Sequence, residues 1–114
     1  MLYDNTYVNI DLDAILANFE AVRSKTKAPV MAIIKADAYG HGAVQIARLL
    51  EDRVAFFGVS GVGEALELRQ SGLEKPILIL GHTPTAAYPQ IVALGIRPAI
   101  FCLEDAELLS KEAV

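Results

Sequence analysis

The chain of 114 residues is 54% hydrophobic and 21% charged, a composition that indicates a folded globular protein or part of one and excludes intrinsic disorder. Its net charge of -4 and its lack of a basic run exclude a nucleic-acid partner. No apolar stretch approaches the roughly 20 residues of a membrane-spanning helix, and the first residues do not resemble a secretory signal. We therefore expect a cytoplasmic protein without a membrane partner.

The first predicted elements are a strand and a helix. Apolar and polar residues alternate over residues 7–12, which predicts a short strand with one exposed side, outside the repeating pattern that follows. Over residues 13–25, apolar residues recur at i, i+4 and i+7 behind Asp11 or Asp13 as the N-terminal cap. Because both aspartates are good caps, the sequence leaves the first residue of this helix open.

Four apolar runs then alternate with longer amphipathic stretches, an arrangement typical of βα units around a parallel sheet. Each run is nearly continuous in apolar residues, as expected for a strand that is covered on both faces. The predicted strands are residues 30–34, 55–60, 76–80 and 98–103.

Glycine and proline mark the helix boundaries between these strands. Gly72 follows a predicted helix over residues 64–71. Thr83 is placed to cap the next helix, with Pro84 in its first position and Gly95 just past its end.

The predicted fold class is α/β. Strand starts recur about every 21 to 25 residues, one βα unit each, whereas a complete (β/α)8 barrel takes about 250 residues. With a last helix beginning near Glu104, four units predict the N-terminal half of a TIM-type (β/α)8 barrel, preceded by the short N-terminal strand. We infer that residues 1–114 are an N-terminal fragment without the rest of the barrel. A small complete four-stranded α/β domain is the alternative.

Lys35 stands directly after the apolar run Val30 to Ile34. An ammonium group loses hydration in apolar surroundings, and this desolvation favours the neutral amine that Schiff-base formation and proton abstraction need. Active sites of barrel folds are built at the carboxyl ends of the strands. Lys35 is therefore the candidate catalytic residue.

The segment Lys35–Gly42, with the sequence KADAYGHG, closely resembles the signature of alanine racemases, which are fold-type III pyridoxal-phosphate enzymes. Two further blocks, within residues 10–18 and 64–81, resemble the same family in the same order. The resemblance spans roughly residues 6–103 and implies an N-terminal part of the barrel domain that binds pyridoxal 5'-phosphate.

The resemblance implies roles for three residues. Lys35 is matched to the lysine that binds pyridoxal phosphate covalently and acts as one of two bases, on the face associated with D-alanine. Tyr39 is matched to the tyrosine whose hydroxyl bonds the cofactor phosphate, with packing against the barrel rim as the alternative. Leu80 is matched to a residue that lines the cofactor pocket, with ordinary core packing as the alternative.

The remaining aspartate, histidine and cysteine side chains near the motif and the strand ends are not predicted to be catalytic. We expect Asp37 to act as a loop or cap residue, and His41 to order its turn by hydrogen bonds rather than to transfer protons. His82 is a weaker candidate for a pocket residue. Cys102 lies in a predicted strand and is expected in the core. Because no cysteine and histidine cluster has zinc spacing, we expect no metal site.

The implied activity is the interconversion of L-alanine and D-alanine, which supplies D-alanine for peptidoglycan. In the family the second base is a tyrosine from the C-terminal domain of the partner subunit, so a homodimer with shared active sites is implied, and the fragment alone is expected to be inactive. Two alternatives stay open. One is a racemase of the same family for serine or another amino acid, and the other is a non-catalytic fragment that binds pyridoxal phosphate.

Overall fold

A computed structural model of the chain describes residues 5–114. Within this range four parallel strands form one sheet in the order β1-β2-β3-β4, so each strand pairs with the strand that precedes it in sequence. The predicted parallel βα arrangement is thereby confirmed. The strands are β1 (Met31–Ile33), β2 (Phe56–Val59), β3 (Ile77–Ile79) and β4 (Ile96–Pro98).

Helical segments connect the strands and flank them. The longer connection after β1 contains two segments, and a 3₁₀ turn at Thr85–Ala87 precedes the helix between β3 and β4. The helical segments are α1 (Leu12–Arg23), α2 (Lys35–Tyr39), α3 (Ala43–Leu50), α4 (Val62–Gln70), α5 (Tyr88–Ala93) and α6 (Leu103–Ala113). None of the helices between residues 5 and 114 is long and apolar enough to cross a membrane.

The core lies between one face of the sheet and the helices. Phe57, Ile77 and Ile79 are fully buried on this face, where they pack against buried residues of α3, α4 and α5. On the other face, Met31 and Ile33 are 38% and 36% exposed. The prediction that the strands are covered on both faces therefore holds for one face, since the described helices pack on that side alone.

The predicted N-terminal strand over residues 7–12 is not formed. Residues 5–11 have no regular secondary structure, and α1 begins at Leu12, inside the predicted strand. The Asp11 side chain caps α1 by accepting a hydrogen bond from the Ala14 N–H at 3.0 Å. An alternating pattern yields a strand only where a neighbouring edge supplies backbone partners, and this segment is exposed without one.

The fourth strand begins earlier than predicted. Gly95, with φ at 62°, ends the preceding helix, and β4 starts at the next residue. Pro98 is the last residue of β4 rather than the first residue of a longer strand, and it is tolerated because β4 lies at the edge of the sheet. Cys102 is consequently exposed, just before α6, and its predicted burial is wrong.

Thr83 does not cap a helix, contrary to the prediction. Pro84 is extended, with ψ at 137°, so the chain makes the 3₁₀ turn before α5 begins at Tyr88 with Pro89 in its first turn. Either Pro84 or Pro89 could occupy the first turn of this helix, and in the structure it is Pro89. The boundary after α4 is confirmed, since Gly72 has φ at 93°.

Candidate active site

Lys35 lies just beyond the last residue of β1, at the carboxyl end of the sheet, as predicted. Its side chain is half-buried, because Ile34, only 3% exposed, takes the position that points into the core. The expected withdrawal of the ammonium from water is therefore only partial. Nζ lies 6.0 Å from the centroid of the Tyr39 ring, within the range of a cation–π contact. Tyr39 itself is 61% exposed.

Between Lys35 and Gly40 the backbone makes a left-handed helical turn. Ala36, Asp37 and Ala38 have φ and ψ near 52° to 55° and 44° to 48°, and Tyr39 has φ at 56°. Left-handed helix costs roughly 1–2 kcal/mol per residue with a Cβ, so such runs persist only where the surroundings impose them. The left-handed conformation of this motif thus extends over four consecutive residues other than glycine.

Backbone hydrogen bonds close this turn onto itself. The Ala38 N–H donates to the Ile34 carbonyl at 3.0 Å, and the Gly40 N–H donates to the Ala36 carbonyl at 3.1 Å. Gly40 and Gly42, with φ at 87° and 91°, complete the change of direction into α3. Lys35 is therefore anchored at the head of a short rigid segment rather than in a mobile loop.

Two side chains of the motif brace the turn. The Asp37 carboxylate accepts a hydrogen bond from the N–H of Ala43 at 2.8 Å, at the start of α3. The His41 ring lies with Nδ1 3.0 Å from the Ala38 carbonyl, and since a carbonyl oxygen only accepts, Nδ1 is the donor. Both contacts confirm the cap and turn roles that the sequence predicted for Asp37 and His41.

Glu64, in the first turn of α4, joins the ends of two strands. Its Oε1 accepts from the Ala36 N–H at 3.0 Å, and its Oε2 accepts from the Ser60 N–H at 2.8 Å. Burial raises the pKa of the Glu64 carboxyl, but the hydrogen bonds from Ser60 and Ala36, together with the other favourable contacts, outweigh it, so the pKa lies below its ordinary value of 4.5. The nearby positive charge of Lys35 adds to the lowering.

Sequence reasoning missed this contact of Glu64. The glutamate is part of a block that resembles the family, but its partners lie 28 residues earlier and 4 residues before it. No local pattern marks a carboxylate that bridges two strand ends, because the bridge exists only once the strands are paired.

Leu80 follows β3 and is 40% exposed on the open face of the sheet. The register pairs Ile33 with Gly58 and Gly58 with Leu78, and extending it by two residues places Lys35, Ser60 and Leu80 at one level. A Cβ on Gly58 would lie 2.6 Å from Ile33 Cδ1 and 3.5 Å from Leu80 Cδ1. The side chains of Ile33 and Leu80 therefore close over Gly58 as an apolar surface.

The structure places His82 apart from these contacts. His82 is exposed after β3, and its ring lies 6.2 Å from the ring of Phe101, which follows β4. Among the described residues 5–114, no group of three or more histidine, cysteine, aspartate or glutamate side chains is arranged to hold a metal ion.

A parallel sheet of consecutive βα units, with each strand paired to its predecessor, is the arrangement found in the first part of a βα barrel. Residues 10–114 match the family model described as the N-terminal domain of alanine racemase. The chain belongs to the alanine racemase family, and its fold corresponds to the N-terminal part of the barrel in those proteins.

Individual relatives agree with this assignment. Alanine racemase 1 of Caldanaerobacter subterraneus subsp. tengcongensis is 42% identical over 112 residues, which cover 96% of this chain and 29% of the relative. The alanine racemase of Streptococcus suis is 45% identical over 101 residues, 87% of this chain and 28% of the relative. This chain thus spans less than a third of the length of these relatives.

Solved structures give the same result. Alanine racemase of Clostridium difficile 630 in complex with cycloserine has a TM-score of 0.87 and 37% identity, over 90% of this chain and 29% of that chain. A histidine racemase from Leuconostoc mesenteroides subsp. sake has a TM-score of 0.82 and 27% identity, over 90% of this chain and 28% of that chain. The fold of this part is therefore shared by racemases of different amino acids.

Proposed function

We propose that this chain carries the cofactor-binding lysine of a pyridoxal-phosphate-dependent alanine racemase. The observation that carries the proposal is the position of Lys35, whose half-buried amine lies at the carboxyl end of β1, at the head of a braced left-handed turn. Membership of the alanine racemase family supports alanine as the substrate.

Three features fit pyridoxal phosphate. Lys35 offers a primary amine for covalent attachment, and Tyr39 presents a phenol hydroxyl, on a largely exposed side chain of the same turn, for the phosphate. Ile33 and Leu80, close over Gly58, offer an apolar surface on which a planar ring can lie. When bound, pyridoxal phosphate draws electrons from the α-carbon of an amino acid.

The residues of this chain then have distinct tasks. Lys35 Nζ removes or returns the α-proton on one face of the amino acid, the face that the family resemblance associates with D-alanine. Tyr39 holds the phosphate, and Leu80 excludes water from its side of the pocket. Racemisation requires a second proton carrier on the opposite face, which we propose is a tyrosine from the partner subunit of a homodimer.

The proposed role of the whole protein is to interconvert L-alanine and D-alanine in the bacterial cytoplasm, as a source of D-alanine for peptidoglycan. We expect no turnover from the 114-residue chain alone, because the carrier on the opposite face is proposed to lie outside it. Conversion of L-alanine to D-alanine by the chain alone would contradict this expectation.

Chemical trapping tests the role of Lys35. Pyridoxal phosphate is incubated with the chain, reduced onto lysine with borohydride, and located by peptide mass spectrometry. We expect the label on Lys35 in preference to Lys25, Lys27, Lys75 and Lys111, and its loss in Lys35→Ala but not in Lys75→Ala. A label spread evenly over the lysines would overturn the proposal.

A chimera tests catalysis. This chain replaces the matching segment of the Caldanaerobacter relative, to which it is 42% identical over 112 residues. We expect the chimera to racemise alanine and Lys35→Ala to abolish the reaction while the chimera still folds. A folded but inactive chimera with intact Lys35 would contradict the assignment.

A second candidate is a racemase for another amino acid, and the similarity to a histidine racemase favours keeping it. Comparison of kcat/KM for alanine, serine and histidine in the longer protein that contains this segment separates the two. Non-catalytic binding of pyridoxal phosphate is the remaining alternative, and racemisation by the chimera excludes it for this site.

A further inference from the structure

We propose that Glu64 is a positioning residue for Lys35: its carboxylate ties the left-handed turn to the end of β2 and so fixes the direction in which the lysine side chain leaves β1. The bonds to the N–H groups of Ala36 and Ser60, at 3.0 and 2.8 Å, form this tie. The inference rests on the function proposed above for Lys35.

The Ala36 N–H belongs to the same rigid peptide plane as the Lys35 carbonyl. When Glu64 holds this N–H, it sets the orientation of that plane and thus the ψ angle of Lys35. The same plane contains the Cα–C bond of Lys35, and because β1 holds the N–Cα bond, the two bonds together fix the direction in which the lysine side chain leaves the backbone. Glu64 acts on Lys35 through the backbone, without occupying the space in front of the amine.

The turn needs an external partner of this kind. Its internal hydrogen bonds link residues 34–42 to one another, whereas the bond from Ala36 to Glu64 links the turn to α4. Since the left-handed residues are individually unfavourable, contacts from outside the turn must over-determine its conformation. A charge-assisted bond, roughly twice as strong as a neutral one, suits this task.

The charge of Glu64 also matches its surroundings. The lowered pKa keeps the carboxylate ionised at neutral pH, so both oxygens accept hydrogen bonds. Its position in the first turn of α4 adds the favourable interaction of an anion with a helix N-terminus. Glutamine at this position keeps the shape, but one of its two terminal atoms becomes a donor that faces a backbone donor.

The test measures trapping of pyridoxal phosphate at Lys35 in Glu64→Gln. Labelling of Lys75 and Lys111 in the same sample is the internal reference, and the rate at Lys35 is expressed relative to it. We expect this relative rate to fall about tenfold or more, since small displacements of a reacting group have effects of that size. An unchanged relative rate in Glu64→Gln would overturn the inference.

Arg69→Met provides the matched control for a purely structural effect. Arg69 lies on the same helix, and its guanidinium binds carbonyls of residues 73, 75 and 94. We expect this variant to lose stability without a change in the relative rate at Lys35. An equal fall in both variants would show that Glu64 acts through general stability and would contradict a positioning role.

Exchange of backbone amides, followed by NMR, gives a second readout that needs no cofactor. The N–H groups of Ala36 and Ser60 should exchange about tenfold faster or more in Glu64→Gln, whereas those inside β3 should not change. Unchanged exchange at both groups would also overturn the inference. A wild-type chain without preferential labelling of Lys35 would instead overturn the proposed function on which the inference rests.

Discussion

The two ends of α4 hold the two ends of the sheet by opposite means. At its start, the Glu64 carboxylate accepts from backbone N–H groups beside the candidate lysine. At its end, the Arg69 guanidinium donates to carbonyls of the loops that precede β3 and β4, at 2.8 to 2.9 Å. In barrels the carboxyl ends of the strands carry the active site and the amino ends serve stability. The start of α4 therefore contacts the candidate site, whereas its end holds the loops at the opposite end of the sheet.

Gly81→Ala should have the largest effect on stability, although Gly81 lies at the carboxyl end of the sheet, beside the candidate site. A Cβ at Gly81 would lie 2.4 Å from the Ser60 backbone oxygen, and a backbone atom cannot move aside as a flexible side chain can. The ends of β2 and β3 must separate, which costs about 3 kcal/mol in the free energy of unfolding. Denaturant unfolding measures this loss.

Gly63→Ala is the control, because its Cβ would meet no atom within 4 Å inside α4. It should leave stability unchanged or raise it by about 0.5–1 kcal/mol, as alanine favours a helix. Equal losses in the two variants would contradict the steric explanation for Gly81.

Arg69→Met should lower the free energy of unfolding by about 2 kcal/mol, because it leaves several loop carbonyls without their charged donor. Arg48→Met, which removes a single long bond of 3.4 Å to the Ser71 carbonyl, should have an effect below about 0.5 kcal/mol. Thermal unfolding of both variants checks the difference. Similar losses in the free energy of unfolding would contradict the stabilising role of Arg69 at the amino end of the sheet.

Low pH should reduce stability through Glu64, at the start of α4. Because folding lowers the pKa of Glu64 below 4.5, its ionised form stabilises the fold above this pH, and the stabilisation is lost as pH falls through the folded pKa. Wild type should exceed Glu64→Gln in stability by about 1 kcal/mol at neutral pH, and the gap should close in acid.

Urea unfolding at a series of pH values measures this gap. Glu67→Gln, on the exposed side of the same helix, is the control and should show no such gap. A gap between wild type and Glu64→Gln that is independent of pH would show that the ionised carboxylate is not the stabilising form.

Tyr39→Phe should have the smallest effect on stability, less than about 0.5 kcal/mol, because the side chain is 61% exposed. If its hydroxyl binds phosphate as proposed, the apparent affinity for pyridoxal phosphate should fall about fivefold to tenfold, the equivalent of one hydrogen bond. Titration followed by absorbance measures this affinity. Unchanged binding would contradict the phosphate-binding role of Tyr39 and would favour the alternative, packing against the barrel rim.

The candidate site was predictable where its signal is local. Lys35 ends an apolar run, Asp37 and His41 stand in a turn rich in glycine, and the structure confirms the contacts expected of the latter two. The role of Glu64 and the left-handed conformation of residues 36–39 were not predictable. Alanine and tyrosine give no warning of such a conformation, because their own preferences oppose it.

The sequence by itself determined the order of the elements, the parallel sheet and the position of the lysine at a strand end. Apolar runs and glycine punctuation are signals between neighbouring residues, so these features can be predicted without knowing any distant contact. Only the tertiary structure decided the start of β4, the loss of the N-terminal strand, the second proline as the start of α5 and the bridge made by Glu64. Each of these depends on which backbone groups are left free to pair once the sheet has formed, and that is a property of the whole fold rather than of any segment.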